Sequence, residues 1–353
     1  LITLLGTNVN DLYHNGMLML RKYGRKSDSR NGPVTVMDCP VMSIYDSSTQ
    51  RVLFDPARDA NPFFHLFECL WMLSGQNDAK MLDAYVATFS KRYADDGVIH
   101  GAYGHRWRSA LGIDQLDEVV TRLRSNRDDR QAVIQMWDAR HQLSGRVGEQ
   151  DLTGDWRDRP CNTHVYLRVR EDYDRDIGHV DSEHPTRKYV LDLTVMCRSN
   201  DIVWGAYGAN AVHFSFLQEY LAGRIGVGVG KMYQLSNNYH AYDDVFLPLV
   251  DEIPPMMDDP YRDELVVPLP IGDSFYHWDE DLSNFMRWHA AGLSDMTTPT
   301  YNNRWFDRVA APMCMANKAR RAGWWDMAVT RVRQVEADDW RRAAMGWIGR
   351  HRR

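Results

Sequence analysis

The chain has 353 residues, 44% of them hydrophobic and 25% charged, with a formal net charge of -6. Those proportions belong to a globular protein, and the length buries a sizeable core. The negative balance excludes a general electrostatic pull toward nucleic acid or anionic membrane, so a phosphate-bearing ligand needs locally clustered arginines.

In chain order, Val9 to Tyr23 places Leu12, Leu18, Leu20 and Tyr23 at roughly helical spacing, and residues 24–33 read as a basic, turn-rich loop. Val34 to Tyr45 reads as strand. PFFHLFECLWMLSG, residues 62–75, is an apolar helix opened by Asn61-Pro62. Glu68 lies inside that apolar run, where a carboxylate is costly unless paired, so it is either on an exposed stripe or functional. Asn77 to Tyr93 reads as another helix, and the two glycines around Tyr103 predict a tight loop presenting its phenol.

Leu116 to Leu123 is helical and residues 130–137 are a strand; 138–159 is polar and irregular. Thr163 to Arg170 alternates as a strand, a charged insert of about 171–188 follows, and Leu191 to Cys197 alternates again. A loop with Gly205 and Gly208 leads to Asn210, which opens a helical pattern through Val212, Phe216, Leu217, Tyr220 and Leu221. A glycine-flanked strand and the cluster Asn-Asn-Tyr-His occupy 226–242, Pro- and Asp-rich connections 243–275, and a mostly helical extension about 278–353. Repeats, linkers and phosphate-loop fingerprints are lacking, so 1–353 reads as one domain.

The N-terminal stretch turns polar too quickly for a signal peptide, and no apolar run approaches membrane-spanning length. Cys39, Cys69, Cys161, Cys197 and Cys314 are odd in number, widely spaced and free of CxxC, which argues for a reduced, cytoplasmic protein without disulfides or zinc. Cys161, at a loop-to-strand junction in RPCN, is the candidate nucleophile. A lone cysteine is more often buried and inert, and only its electrostatic setting changes that. Arg198 supplies the cation if its strand pairs with Thr163 to Arg170. Arg198, Ser199 and Asn210 then join an anion binder, a hydroxyl and an amide, which suits a small anionic ligand with a hydrogen-bonding ring. Without that pairing the stretch is an ordinary strand–loop–helix junction.

The order ECLW, GAYGHRW, RPCN, RSNDIVWGAYGAN and NYHAY closely resembles thymidylate synthase and its relatives, the pyrimidine nucleotide hydroxymethylases, over roughly residues 11–242. The resemblance implies an α/β (or α+β) fold, a mixed twisted sheet with helices on one face and a homodimer interface on the other. It implies that Cys161 adds to C6 of a pyrimidine nucleoside monophosphate, so that C5 accepts a one-carbon unit from 5,10-methylenetetrahydrofolate, with no metal. By the same resemblance, Glu68 is expected to organise water and proton transfers and Tyr103 to assist removal of the C5 proton, with the roles that follow carried over in the same way. Arg198, Ser199 and Arg30 (Arg25 being the alternative) hold the phosphate, joined by Arg130 from the neighbouring subunit. His240 and Tyr242 contact the sugar, Asn210 reads the ring, and Asp201 and Trp71 contact the folate.

Departures from the pattern shape the reaction. Asn162 follows the cysteine where thymidylate synthase usually has histidine, Arg130-Gln131 replaces an arginine pair, Phe89 aligns loosely with a shielding tryptophan, and the short C-terminal lid is absent. Loss of shielding favours water over hydride at the transferred carbon, hence hydroxymethylation. The reading leans to dCMP, because cytosine hydroxymethylases are a recurrent departure in the family, while the retained Asn210 suits uracil. Thymidylate synthase (dUMP to dTMP), a dUMP hydroxymethylase and a non-catalytic nucleotide- or RNA-binding relative are the alternatives. Neither a nucleic-acid nor a membrane partner is expected for the enzyme.

Overall fold

The computed structural model describes residues 1–139, 151–172, 188–255, 258–292 and 299–352. The chain begins with β1 (Ile2–Gly6) and α1 (Val9–Tyr23), whose first turn is capped by the side chain of Asn8 accepting from the Asn10 and Asp11 amides. The stretch read as a basic loop is instead a hairpin, β2 (Arg25–Ser29) and β3 (Gly32–Val36), turning at Arg30-Asn31 with Gly32 at φ 117°. The predicted strand over 34–45 divides between β3 and β4 (Val41–Tyr45), which belong to different sheets.

Helix α2 (Pro62–Leu73) is capped by Asn61 and buried along most of its length. The expected helix over 77–93 is broken into a tight turn, Ala79–Ala84, and a short α3 (Phe89–Tyr93). Tyr103 lies not in a loop but in a helical segment, α4 (Tyr103–His105) continued by a wider turn to Ala110. Gly104 explains the glycine: a Cβ there would sit 1.7 Å from the Met72 carbonyl oxygen, so the two backbones touch. Helix α5 (Gln115–Ser125) and β5 (Val133–Gln135) precede β6 (Asn162–Glu171) and β7 (Tyr189–Cys197). Most of the charged insert, 173–187, lies outside the described residues.

The supposed glycine loop after the short β8 (Asn200–Asp201) is a run of wide helical turns, Ile202–Ala209, kinked at Gly208 and continuous with α6 (Asn210–Ile225). Strands β9 (Gly228–Ser236) and β10 (Tyr239–Tyr242) follow. The Pro-rich connection contains a helix, α7 (Asp243–Asp251), despite Pro248. The extension forms α8 (Trp278–Ala290), α9 (Ala311–Arg321), α10 (Trp325–Arg333) and α11 (Asp338–His351). Among the described residues no helix is long and apolar enough to cross a membrane.

Among the described residues six strands form a mixed sheet in the order β1-β4-β9-β7-β6-β5, and β2-β3-β10-β8 form a second, small one. The pairing β6–β7 that the site requires is present, antiparallel, with Asn162 opposite Cys197. Alternation gives the large sheet two unlike faces. Ile134, Val165, Val195, Gln234 and Ser43 form one buried row beneath α6. The adjacent row, Val133, Tyr166, Thr194, Tyr233, Ile44 and Leu5, points away from the helices and is exposed or half-exposed in the chain. The extension packs on the opposite side, where Trp347 of α11 meets Phe63 of α2 edge-on at 5.9 Å.

Candidate active site

Cys161 immediately precedes β6, beside a bulge at Thr163 that shifts the β6–β7 register. Its backbone carbonyl accepts from the Arg198 amide at 2.8 Å, which fixes the arginine next to the thiol. The Arg198 Nη2 lies 3.8 Å from the Cys161 sulfur, while its Nε donates to the Pro160 carbonyl at 2.9 Å. Burial pushes the thiol up; Arg198 and, more weakly, Arg30 pull it down, and Asp158 opposes them. The Tyr103 hydroxyl accepts from the backbone amides of Cys161 and Asn162 at 3.2 and 3.4 Å, and burial holds its phenol well above the usual range.

Glu68 is buried and paired, the alternative that its place in an apolar helix allowed. His213 of α6 donates from Nε2 to its carboxylate at 2.8 Å, and the other ring nitrogen, Nδ1, has no hydrogen-bond partner among the described residues. His213 lies three residues from Asn210, on the same side of α6. The Asn210 carbonyl oxygen accepts from Asn162 Nδ2 at 3.0 Å, and its amide donates to Asn200 Oδ1 at 3.0 Å.

The small sheet brings the anion and sugar candidates to the same side. Arg30 is exposed at the tip of the β2–β3 hairpin, close enough for its charge to act on Cys161, whereas Arg25 is spent in an ion pair with Asp38. Next to Arg30, Asn31 donates to the Tyr242 hydroxyl at 3.3 Å. Tyr242 meets the buried His240 edge-on at 5.5 Å. Ser199, half-buried, follows Arg198 at the end of β7. Asp201 accepts from the amides of Trp204 and Tyr242 at 2.6 and 3.3 Å, and burial raises its carboxyl. The half-exposed Trp204 ring is backed by the Arg58 guanidinium at 4.1 Å, and Arg58 is anchored by donating to the Val203 carbonyl at 2.8 Å.

Two of the residues singled out lie elsewhere. Trp71 is 1% exposed and donates its indole N–H to the Asp78 carbonyl, so it is a core side chain with no face for a ligand. Arg130 is exposed in a cleft lined by Arg127, Arg168 and Tyr189 at the far end of β6, roughly 25 Å along the strand from Cys161. Conversely, sequence reasoning passed over His213, Asp158, Asn200, Gln234, Arg58 and Trp204. His213 had a signal in its helical spacing from Asn210; the rest are brought in by tertiary contacts.

A thiol beside a guanidinium, next in sequence to an asparagine that holds the Asn210 amide, is equipped for nucleophilic addition to a planar, hydrogen-bonding ring that carries an anion. Residues 11–254 match the thymidylate synthase family profile. The chain is 40% identical to the deoxyuridylate hydroxymethyltransferase of Pseudomonas phage M6, over 98% of this chain and 93% of that one. It is 31% identical to the protein of that name from Bacillus phage SP01, over 61% and 52% of the two chains. Its fold resembles the crystal structure of thymidylate synthase from T4 phage with a TM-score of 0.51, at 18% identity over 70% of this chain and 82% of that one. The chain belongs to the thymidylate synthase family, the one-carbon transferases that act on a pyrimidine nucleotide.

Proposed function

We propose that this enzyme hydroxymethylates C5 of deoxyuridylate, with methylenetetrahydrofolate as the one-carbon donor. The observation that carries the reading is the contact between the Cys161 sulfur and Arg198 Nη2, 3.8 Å, at the strand end that also faces Asn210 through Asn162. Arg198, Ser199 and Arg30 grip the phosphate, and His240 and Tyr242 meet the sugar. The Cys161 thiolate adds to C6, and the electron pair moves through C5 onto O4, where the free N–H of Asn210 holds the developing charge. Tyr103, seated on the Cys161 amide, assists loss of the C5 proton.

The folate, when bound, supplies a one-carbon unit at the oxidation level of formaldehyde. The residues present fit it: Asp201 is a half-buried acceptor for ring N–H groups, and the Trp204 ring stiffened by Arg58 offers a flat apolar wall. Hydroxymethylation requires water at the transferred carbon. Its addition returns the electron pair to O4, from where it re-forms the C5–C6 double bond and expels the Cys161 thiolate. We assign to the hydrogen-bonded Glu68–His213 pair the removal of the water's proton. The names of the phage M6 and SP01 relatives support hydroxymethylation and uracil, as does the amide at Asn210, over the sequence-based lean to dCMP. Arg130 reaches a phosphate only from a second copy, and the uncovered outer row of the large sheet offers a surface for one, which supports a homodimer.

The test is incubation with methylenetetrahydrofolate and, in turn, dUMP, dCMP and CMP, with products identified by mass. Hydroxymethyl-dUMP and tetrahydrofolate are expected. Formation of dTMP with dihydrofolate sinks the hydroxymethylase, and a hydroxymethylated cytosine product sinks the uracil assignment.

A further inference from the structure

Four side-chain amides run head to tail beneath the site. Cys197 Sγ donates to Asn162 Oδ1 at 2.5 Å, Asn162 Nδ2 to Asn210 Oδ1 at 3.0 Å, and Asn210 Nδ2 to Asn200 Oδ1 at 3.0 Å. Asn200 Nδ2 then donates to Gln234 Oε1 at 2.5 Å, and Gln234 Nε2 to the Ala206 carbonyl at 3.0 Å. All four amides are buried, between 0 and 6% exposed. An isolated amide can present its oxygen or its nitrogen by rotating half a turn, but the two ends of this chain forbid that. The Ala206 carbonyl only accepts, so Gln234 must present its nitrogen there, and each amide in turn is set by the one before. Burial holds the Cys197 thiol well above its usual range, so the other end remains a donor and agrees with the first. Rotating Asn210 alone would oppose two N–H groups at Asn162 and two oxygens at Asn200.

We infer that Asn162, Asn200 and Gln234 are positioning residues that fix the polarity of the Asn210 amide, and that the choice between uracil and cytosine is set through this relay from the Ala206 carbonyl. Each amide atom of Asn210 has one partner in the relay, which leaves one N–H and one oxygen lone pair for the ring. Uracil presents an N3 donor beside an O4 acceptor, and cytosine presents the reverse. With the ring's orientation set by the phosphate grip and by Cys161 at C6, a fixed amide matches one base twice and mismatches the other twice. Gly205 belongs to the same device. A Cβ there would lie 2.7 Å from Asn200 Oδ1, so only glycine leaves room for the Asn200–Asn210 pair. Asn162, which stands where the family usually has histidine, is one link of the chain.

The inference rests on the proposed pyrimidine nucleotide site, and the test separates the two. The ratio of kcat/KM for dUMP to that for dCMP is measured for the wild type, Gln234→Met and Cys197→Ala, with thermal melting as the check on folding. Gln234 and Cys197 lie outside the residues assigned to substrate, so a merely structural loss lowers both rates together. The relay predicts that the wild-type preference falls by roughly 10²-fold or more in Gln234→Met, and less in Cys197→Ala, whose donor is weaker. A ratio retained within about threefold in folded Gln234→Met, with both rates reduced, overturns the relay. If Gln234→Met does not fold, Cys197→Ala decides by the same ratio. A wild type that prefers dCMP overturns the uracil reading, while collapse of that preference in the variants still supports the relay. If neither nucleotide turns over, the ratio of dissociation constants for dUMP and dCMP replaces the kinetic one and is judged in the same way.

Discussion

The Nε2 of His213 lies 2.8 Å from the Glu68 carboxylate, joining two buried side chains 145 positions apart on facing helices. The pair answers the cost of a carboxylate in an apolar helix, and it ties α2 to α6, the helix that Asn210 opens. Removing one partner leaves the other buried without compensation. His213→Ala is expected to cost about 3 kcal/mol or more in urea unfolding. Glu68→Gln retains an acceptor, so its stability should change by less than about 1 kcal/mol while turnover collapses. Equal losses of stability in the two variants would argue against this division of roles.

Cys161→Ala should abolish exchange of the C5 hydrogen of dUMP while leaving nucleotide binding measurable by calorimetry. Retained exchange would remove Cys161 from the mechanism.

Asp158 opposes Arg198 and Arg30 at the thiol. Asp158→Asn keeps an oxygen for the Gly101 amide, 3.1 Å away, but deletes the charge that raises the thiol. The acid limb of the exchange rate, which follows the thiolate, should therefore move to lower pH. An unmoved limb would show that Asp158 is uncharged in the working enzyme, and a raised one would rule it out as the opposing charge.

If Arg130 serves the partner's phosphate, Arg130→Ala and Cys161→Ala should each be inactive alone, yet regain activity when refolded together. Random pairing leaves one intact site in half of the dimers, roughly a quarter of wild-type activity. No recovery from a mixture shown to contain heterodimers would place Arg130 in its own subunit's chemistry or outside it.

Burial raises the Asp339 carboxyl to about 6, and it accepts from the Tyr261 hydroxyl at 2.9 Å. The unfolded carboxyl titrates near 3.9, so between these values the folded chain binds more protons than the unfolded one. Stability from this group is full below the unfolded value and is lost as pH rises through about 6, by about 3 kcal/mol. Asp339→Asn should remove that decline, read as the difference between the two proteins' unfolding free energies at pH 4 and pH 7. Parallel pH profiles would contradict it.

Much of the local architecture was legible in the residues themselves. Helix α1 lies at the predicted 9–23, and Asn61-Pro62 does open α2. The alternation of 163–170 and 191–197 marks two strands that pair as the arginine–thiol contact needs. Capping, helical period and strand alternation are written within a few residues, because they arise from backbone hydrogen bonds and one buried face. The glycines misled where their reason was distant. Gly104 looks like a turn residue, but it is required by the Met72 carbonyl, and Gly205 by an asparagine side chain. The 24–33 segment looked like a solvated loop because a two-stranded ribbon with mostly exposed side chains lacks an alternating pattern.

What the sequence by itself determined, then, is the family, the capped helices α1 and α2, and the two alternating strands whose pairing sets Arg198 beside Cys161. Only the tertiary structure decided that Trp71 is core, that Arg130 lies a strand's length from the thiol, that His213 meets Glu68, and that Asn210 is held in one orientation. Those outcomes depend on groups separated by tens to hundreds of residues, each able to satisfy its hydrogen bonds in more than one way. Closing the chain around the buried amides leaves a single arrangement in which Asn162, Asn210, Asn200 and Gln234 are all paired, and that closure is a property of the fold.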